Sequence, residues 1–342
     1  MPKKSRPKMG GFNIPRKGLS EMNNFIPGVI PSPPDPRDWQ YAKLTSPISL
    51  PRKYRCKIIP LPPRDQGPKG TCVGQAGANT NEILQYKERG TAERLSSLYI
   101  YSMCKQLDGY PDMEGTFLRV LMKVLTKYGA PPENKMPYFT TWTVPPIPSD
   151  TIHALARPNR VKTYAKVQTE RELKQALVEQ GPVPIAMMIT SDFFNAQNGV
   201  VPKEASGTLL GGHAMTLIGY DDDARLYEVI NSWGYHPCTK QGHNFIPYEL
   251  LHKPSLAMDL PIPVLMEAFS VVDMIEIRLP RDVTISDRYI GLKLNGEYID
   301  LDIPAVIIED VGRAYFPIRE LEKLGFEVQW VESTSTIELK TK

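Results

Sequence analysis

The feature that most constrains this chain is a set of three short motifs, far apart in sequence, each chemically incomplete alone. Gln66-Gly67-Pro68-Lys69-Gly70-Thr71-Cys72 delivers one cysteine, through a loop of glycine and proline, to the start of an expected helix. Gly212-His213-Ala214 opens an expected strand, and Asn231-Ser232-Trp233-Gly234 closes another. A thiol attacks well only as the thiolate, and its pKa falls at a helix N-terminus and beside a cationic imidazole. Cys72 meets the first condition. His213 would meet the second and return a proton to a leaving amine. Asn231 is an amide suited to orienting the other imidazole nitrogen, and Gln66 would set a side-chain N–H beside the backbone N–H of Cys72 as an oxyanion hole. Each residue alone has a plain structural reading: buried cysteine, core histidine, turn with a packed indole. Their joint occurrence outweighs those readings, and the fold must bring them together.

At 342 residues, the chain is expected to form two or three folded units. Its 41% hydrophobic and 23% charged content gives ample material for a core. The 33 prolines fall in clusters that suggest linkers and covering segments. A net charge of +3 is too small to argue for nucleic acid. The basic start, with Lys3, Lys4, Arg6, Lys8, Arg16 and Lys17, reads as a solvated terminus. No apolar run approaches the ~18 residues of a membrane span, and the basic start is followed by Gly, Asn and Pro rather than by the apolar core of a signal peptide. The expected location is therefore cytoplasmic or reached by non-classical export. Cys56, Cys72, Cys104 and Cys238 make no disulfide scaffold, and a free Cys72 leaves an odd number.

Residues 1–48 form an amino-terminal extension of extended or polyproline-like backbone. It is either a strap or a prosegment that crosses the active cleft. Helices are expected from the Cys72 region to a stop at Gly90, from Leu95 to Lys105 with Ser96 or Ser97 as cap, and from Thr116 to Tyr128, closed by Gly129 and Pro131. Pro131 to Pro148 reads as a linker between two lobes. Thr169 to Gln180 is a further helix, with Thr169 and Glu172 as a capping box. Val183 to Ile189, His213 to Gly219, Leu226 to Trp233 and Phe269 to Ile277 read as strands. Helices first and strands second predict an α+β body of two lobes with a ligand cleft between them.

Taken together, Gln66-Gly67, Gly70-Thr71-Cys72, Gly212-His213-Ala214 and Asn231-Ser232-Trp233-Gly234 resemble the papain-like cysteine peptidases, C1 type, of a bacterial branch. The Cys72-to-His213 separation lies inside the ~130–150 residues of that family. The resemblance covers residues 49–277 and implies a papain-like two-lobed fold, a helical lobe plus a β-barrel-like lobe. It also implies a cysteine endopeptidase acting through a thioester acyl-enzyme, with a peptide or protein as substrate and no cofactor. Catalytic roles fall on Cys72, His213, Asn231 and Gln66. Substrate contacts fall on Gly70, Gly115 in Glu114-Gly115-Thr116, and Gly212, with Trp233 covering the His213–Asn231 hydrogen bond. The family's Gly-Ser-Cys-Trp is here Gly70-Thr71-Cys72-Val73, and Lys69 replaces a usual half-cystine, so one familiar disulfide is absent. The rival readings are an acyl transferase or peptide ligase using the same Cys-His pair, and a catalytically silent binding protein.

His236, Cys238 and His243 invite a zinc reading, but with only three candidates and no second pair a loop is expected and no metal is assigned. Asp221-Asp222-Asp223 reads as a solvated turn. The last residues, 281–342, alternate through Ile290, Leu292 and Leu294 to Asn295-Gly296, a hairpin turn, with a returning strand at Tyr298 to Ile303. A helix through Ile318 to Leu324 and strands Phe326 to Val331 and Thr336 to Lys340 would complete a small α+β module. It resembles the domain named after the N-terminal region of copper amine oxidases, without a copper-ligand set. The contact expected of it is the cell wall or the peptidase domain.

Overall fold

A helix enclosed on all sides runs through the first unit of this protein. The computed structural model describes residues 25–272 other than 36, 37, 46, 60, 92, 111, 112 and 256–261, together with six strands between residues 292 and 341. The chain divides into two units, Met1–Asp273 and Met274–Lys342.

The central helix is α1 (Cys72–Arg89), buried from Cys72 through Gln85. Its apolar stripe of Ala76, Ile83 and Leu84 accounts for one face only; Gln75, Asn79, Thr80, Asn81, Glu82 and Gln85 are inside as well. Buried polar groups need partners. Asn81 Nδ2 donates to Asn159 O at 2.7 Å, Gln85 Nε2 to Asn81 Oδ1 at 3.1 Å, and Thr216 Oγ1 to Ala76 O at 2.9 Å. Two glycines let neighbouring helices approach: a Cβ on Gly74 would lie 2.7 Å from Ser97 O, and one on Gly77 2.3 Å from Leu121 Cδ1. Those neighbours are α2 (Ser97–Asp108), capped by Ser96 Oγ accepting from Tyr99 N, and α3 (Leu118–Lys127). Helix α1 ends at Gly90 in the left-handed conformation, as the sequence predicts.

Nine strands form one sheet: β1 (Val29–Ile30), β2 (Lys53–Arg55), β3 (Thr116–Phe117), β4 (Thr163–Lys166), β5 (Val183–Thr190), β6 (Leu209–Asp221), β7 (Leu226–Ile230), β8 (His243–Pro247) and β9 (Leu265–Val272). The order is β3-β1-β6-β5-β9-β4, with β2 and β7 also on β6 and β8 on β7. Strand β6 is the spine, and its His213 is in register with Met187 of β5. Successive side chains of a strand face opposite sides. Met215 and Leu217 enter the core with Tyr227, Val229, Phe193 and Trp233, while Ala214 joins the second core, where α1, α2 and α3 pack on the sheet beside Cys72. Short helices α4 (Asp150–Ala156) and α6 (Tyr248–Leu251) lie on either side of α5 (Glu170–Glu179) in the chain. Thr169 Oγ1 caps α5 at 3.2 Å from Glu172 N, and Glu172 Oε2 takes the Gln168 N–H rather than that of Thr169.

Several boundaries differ from the sequence reading. Thr116 and Phe117 are strand, not helix, because Thr116 N–H is taken by Gly28 O at 2.8 Å and the backbone must extend to pair with β1. Strand β7 stops at Ile230, and Asn231 N still donates to Gly242 O at 2.8 Å in line with the β7–β8 register. The stretch 131–148 does more than link: Ser96 N donates to Pro131 O at 2.9 Å, and Trp142 packs with Tyr101 and Leu98. Strand β9 begins at Leu265, and residues 273–277 lie outside the described residues.

Among its described residues the second unit contains three antiparallel pairs, β10 (Leu292–Leu294) with β11 (Glu297–Ile299), β12 (Val306–Ile308) with β13 (Arg313–Tyr315), and β14 (Phe326–Val331) with β15 (Thr336–Thr341). Leu294 pairs Glu297, and the turn expected at Asn295-Gly296 lies outside the described residues. The expected helix at 318–324 lies outside the described residues.

Candidate active site

The loop of residues 64–71 is fixed before it reaches Cys72. Arg64, 3% exposed, donates to Asn79 Oδ1 at 3.0 Å and Leu95 O at 2.8 Å and pairs with Glu82, whose Oε1 also accepts Leu95 N–H at 2.6 Å. Tyr138 Oη donates to Gln66 O at 2.7 Å and lies 2.7 Å from Thr71 Oγ1, tying the two ends of the loop together. Lys69 Nζ stands 4.3 Å over the Trp142 ring. The proline-rich stretch therefore supports this loop from behind.

Cys72 is the first residue of α1. Its N-cap, Thr71, makes no side-chain cap, and the backbone N–H groups of Cys72 and Val73 bear on the sulfur together with those of Ala214 and Gly28. The thiol is fully buried, and burial pushes its pKa from 9.0 up to about 11 against those four donors. His213 is equally buried; desolvation lowers its pKa from 6.5 to about 4, with the hydrogen bond to Asn231 opposing. Its Nε2 lies 2.8 Å from Asn231 Oδ1, and its Nδ1 is buried with no hydrogen-bond partner among the described residues. The pair is thus held uncharged in this structure. Trp233 stacks on the His213 ring with centroids 4.8 Å apart and on Phe194 at 4.8 Å, closing this side to water.

Gln66, in the loop that leads to Cys72, has no exposed surface. Its Oε1 accepts Ser232 Oγ–H at 2.7 Å, which turns Nε2 toward two carbonyls, Lys69 O at 2.8 Å and Ile26 O at 3.1 Å. The second carbonyl belongs to a segment that explains the burial of the whole site. Residues 25–30 run between the glycines expected to line the cleft. A Cβ on Gly28 would lie 2.1 Å from Gly70 O, one on Gly115 2.6 Å from Gly28 O, and one on Gly212 2.6 Å from Val29 O. Gly115, at φ +86, is itself pinned, donating to Tyr101 Oη at 3.0 Å and accepting from Lys105 Nζ at 2.8 Å. Gly70 N–H donates to Glu114 Oε2 at 2.8 Å. Phe25 stacks on Trp233 at 5.4 Å. Further along, Ser32 Oγ donates to Glu267 Oε2 at 2.7 Å, and the Asp38 carboxylate receives the Arg119 guanidinium through both oxygens.

The structure thus brings Cys72, Gln66, Gly70, Gly115 and Gly212 around one segment, and Asn231 and Trp233 onto His213. The sequence reading missed Tyr138, Arg64, Ser232 and Asn244, and it named residues 25–30 only within the wider extension 1–48 expected as a strap or a prosegment. Ser232 lay inside a quoted motif. The others carry no local signal, since their partners are distant in sequence. Of the second cluster, His236 Nδ1 lies 3.0 Å from Cys238 Sγ, while His243 Nδ1 is 2.9 Å from Glu228 Oε1; among the described residues no three potential metal ligands converge. All four cysteines are free and buried. No helix among the described residues is long and apolar enough to cross a membrane.

The body is a mixed α+β fold whose central helix opens on a buried cysteine and whose sheet carries a buried histidine. The chain belongs to the papain family of cysteine proteases, whose model matches residues 51–246, and it is a peptide-bond hydrolase. It is 25% identical over 225 residues to an uncharacterized peptidase C1-like protein of Acanthamoeba polyphaga mimivirus, covering 59% of this chain and 71% of that one. It is 24% identical over 181 residues to a cathepsin L-like proteinase of Fasciola hepatica, covering 50% and 52%. The chain therefore spans about half the length of that curated relative. Its fold is similar to xylellain, a cysteine protease from Xylella fastidiosa, with a TM-score of 0.62, 24% identity and coverage of 74% and 97%. It is also similar to a procathepsin B from Trypanosoma congolense, at 0.54, 17%, 75% and 89%.

Proposed function

We propose that this protein is a cysteine endopeptidase held in a covered form by its own amino-terminal strap. The observation that carries the reading is a partnerless imidazole nitrogen and a helix-opening thiol lying under a chain segment between three glycines. In the uncovered form, His213 Nδ1 takes the Cys72 proton. The thiolate adds to the scissile carbonyl, and the oxyanion is received by the backbone N–H of Cys72 and by Gln66 Nε2, which the Ile26 carbonyl now occupies. His213 then gives its proton to the leaving amine as the C–N bond breaks, leaving a thioester. Water, losing a proton to His213, adds to the thioester, and the acid leaves as the thiolate is released. Asn231 holds the ring through Nε2, and Trp233 shields that bond.

Labelling with a thiol-directed epoxide, mapped by mass spectrometry, tests the reading together with turnover of a peptide library. Label at Cys72 with hydrolysis supports it. Label without hydrolysis but with transfer to an added amine favours the ligase reading. Neither label nor turnover, once the strap is displaced, would sink the nucleophile assignment.

The strap's hold is expected to weaken in acid. An exposed histidine binds a proton near pH 6.5, whereas the covered His213 does so only near pH 4. Between those values the uncovered form binds more protons, so the stability of the covered form is full above pH 6.5 and is lost as pH falls toward 4, by about 3 kcal/mol at the limit. Above pH 9 the raised Cys72 thiol acts likewise, since only the uncovered form ionises there. Burial also raises the Glu267 carboxyl, which favours the covered form in acid, but Ser32, Arg119 and Lys166 offset part of that. Hydrogen exchange of the Thr116 amide, corrected for its intrinsic pH dependence, reads the covered fraction through its bond to Gly28 O. Protection that is constant from pH 7 to 4.5 would contradict the assignment.

We also propose, from the sequence resemblance alone, that residues 281–342 are an accessory domain of the copper-amine-oxidase-N-terminal type in a protein of the bacterial branch. Cosedimentation with insoluble cell-wall glycan, compared for the full chain and a chain ending at residue 277, tests a wall contact; equal sedimentation removes it.

A further inference from the structure

Behind Asn231 stands a second asparagine that the chemistry above does not use. Asn244, in β8, is fully buried. Its Nδ2 donates to two backbone carbonyls, Cys238 O at 2.8 Å and Gly199 O at 3.2 Å. Carbonyl oxygens only accept, so this end of the amide must be the NH2 group, and Oδ1 must face the other way. There it accepts from Asn231 Nδ2 at 2.8 Å. With its nitrogen committed to Asn244, Asn231 presents Oδ1 to the Ser232 N–H at 2.7 Å and to His213 Nε2 at 2.8 Å. An accepting oxygen is met by a ring nitrogen that carries hydrogen. In the neutral ring this makes Nε2 the protonated nitrogen and leaves the lone pair on Nδ1, the buried nitrogen without a partner. If Asn231 were reversed, its NH2 would face the Ser232 N–H and its oxygen would face the oxygen of Asn244. It would also demand a bare Nε2, moving the proton to Nδ1, where the ring could not act as a base.

We propose that Asn244 is a positioning residue that sets the tautomer of His213. Two backbone carbonyls orient Asn244, Asn244 orients Asn231, and Asn231 holds the imidazole in its Nε2–H form with Nδ1 free to accept the thiol proton. Asn244 touches neither substrate nor thiol. The inference builds on the role of His213 as base proposed above, but the tautomer is a property of the folded chain whether or not it turns over. Ser232 N–H is a second anchor on Asn231, so loss of Asn244 alone relaxes the orientation without abolishing it.

The test uses the full chain labelled with 15N-histidine at neutral pH, where His213 is uncharged. The nitrogen spectrum is expected to show His213 with hydrogen on Nε2 and none on Nδ1; a ring protonated on Nδ1 overturns the proposal. Asn244→Leu, similar in volume, is expected to give a mixture of tautomers and to lower kcat about tenfold, with KM changed less than about twofold. A purely Nε2–H ring in the folded variant overturns the proposal. Because that variant takes the Asn244 partner from the buried Cys238 carbonyl and from Asn231 Nδ2, while Gly199 O keeps the Phe245 N–H at 2.8 Å, it is less stable, and the wild-type spectrum decides if it does not fold. In an Asn231→Ala background, Asn244→Leu is expected to change kcat by less than about twofold, the relay being already broken. A further tenfold loss there would show that Asn244 acts through the fold at large, and the proposal falls. A wild-type Nε2–H ring in a chain that neither labels nor turns over would remove the peptidase mechanism and leave the tautomer assignment standing.

Discussion

Asp38→Ala is expected to raise the labelling rate of Cys72 by roughly 10²–10³-fold without unfolding the chain. The Arg119 guanidinium reaches the Asp38 carboxylate at 2.8 Å through Nε and 2.5 Å through Nη2, and both side chains are nearly buried, at 7% and 6% exposed. Arg119 Nη1 also bonds Pro33 O, and Arg119 N approaches Ser32 Oγ at 3.4 Å, so the strap closes over α3 at this point. Removing one member of a buried ion pair costs about 3–5 kcal/mol because the other charge is left uncompensated. Here the strain has an exit. When the strap lifts, Arg119 meets water, so the penalty falls on the covered form alone, and each ~1.4 kcal/mol shifts the covered–uncovered balance tenfold. Glu267 already feels the Arg119 charge and offsets part of it, so the lower end of the range is expected. Asp38→Asn, which keeps a hydrogen-bond acceptor, should fall between the two. Stopped labelling time courses with a neutral epoxide at constant pH measure this. A folded Asp38→Ala protein that labels at the wild-type rate would mean that the latch does not hold the strap.

Arg64→Met is expected to lower the melting temperature by about 10 °C. The guanidinium is the hub between the loop leading to Cys72, helix α1 and the start of α2, through Asn79, Glu82 and the Leu95 carbonyl. Its loss leaves the Glu82 carboxylate, which is 5% exposed as a side chain, with the Leu95 N–H as its remaining hydrogen-bond donor among the described residues. A cost of about 3–5 kcal/mol, at about 2–4 °C per kcal/mol for a body of this size, gives the stated shift. Replacing the pair together, Arg64→Met with Glu82→Leu, should recover much of the loss, because an apolar pair needs no compensation. Thermal melts of the three proteins decide it. A double variant no more stable than the single one would show that the charge pairing is not what Arg64 contributes.

Three features could be read only in part from the chain. The amphipathic stripe of Ala76, Ile83 and Leu84 marks α1 as a helix, but the stripe predicts one buried face and the structure buries them all. Asn81, Glu82 and Gln85 are polar by composition and interior by tertiary context; Asn81 and Glu82 find partners outside the helix, in Asn159 and Leu95, and Gln85 bonds Asn81. Thr116 and Phe117 continue a helical pattern and yet form strand, because Gly28 claims the Thr116 N–H from outside the segment. The proline-rich stretch 131–148 looks like a linker since proline breaks periodicity, and nothing local reveals that Tyr138 and Trp142 brace the loop of Cys72. By contrast, Gly90, Ser96 and Thr169 cap helices as their types predict, because capping is decided within four residues.

By itself the sequence determined which atoms are available for chemistry: one thiol at a helix start, one imidazole, one amide and glycines at spacings that suit a cleft. It also determined the α+β class, through the change from helical to alternating pattern. Only the tertiary structure decided that Val29 and Gly28 lie between Gly70, Gly115 and Gly212, that the thiol and imidazole are both buried and uncharged beneath them, and that Asn244 stands behind Asn231. The physical reason is range. Periodicity and capping arise from bonds between residues a few positions apart, whereas the strap and the amide relay join residues whose contact depends on how every intervening element packs.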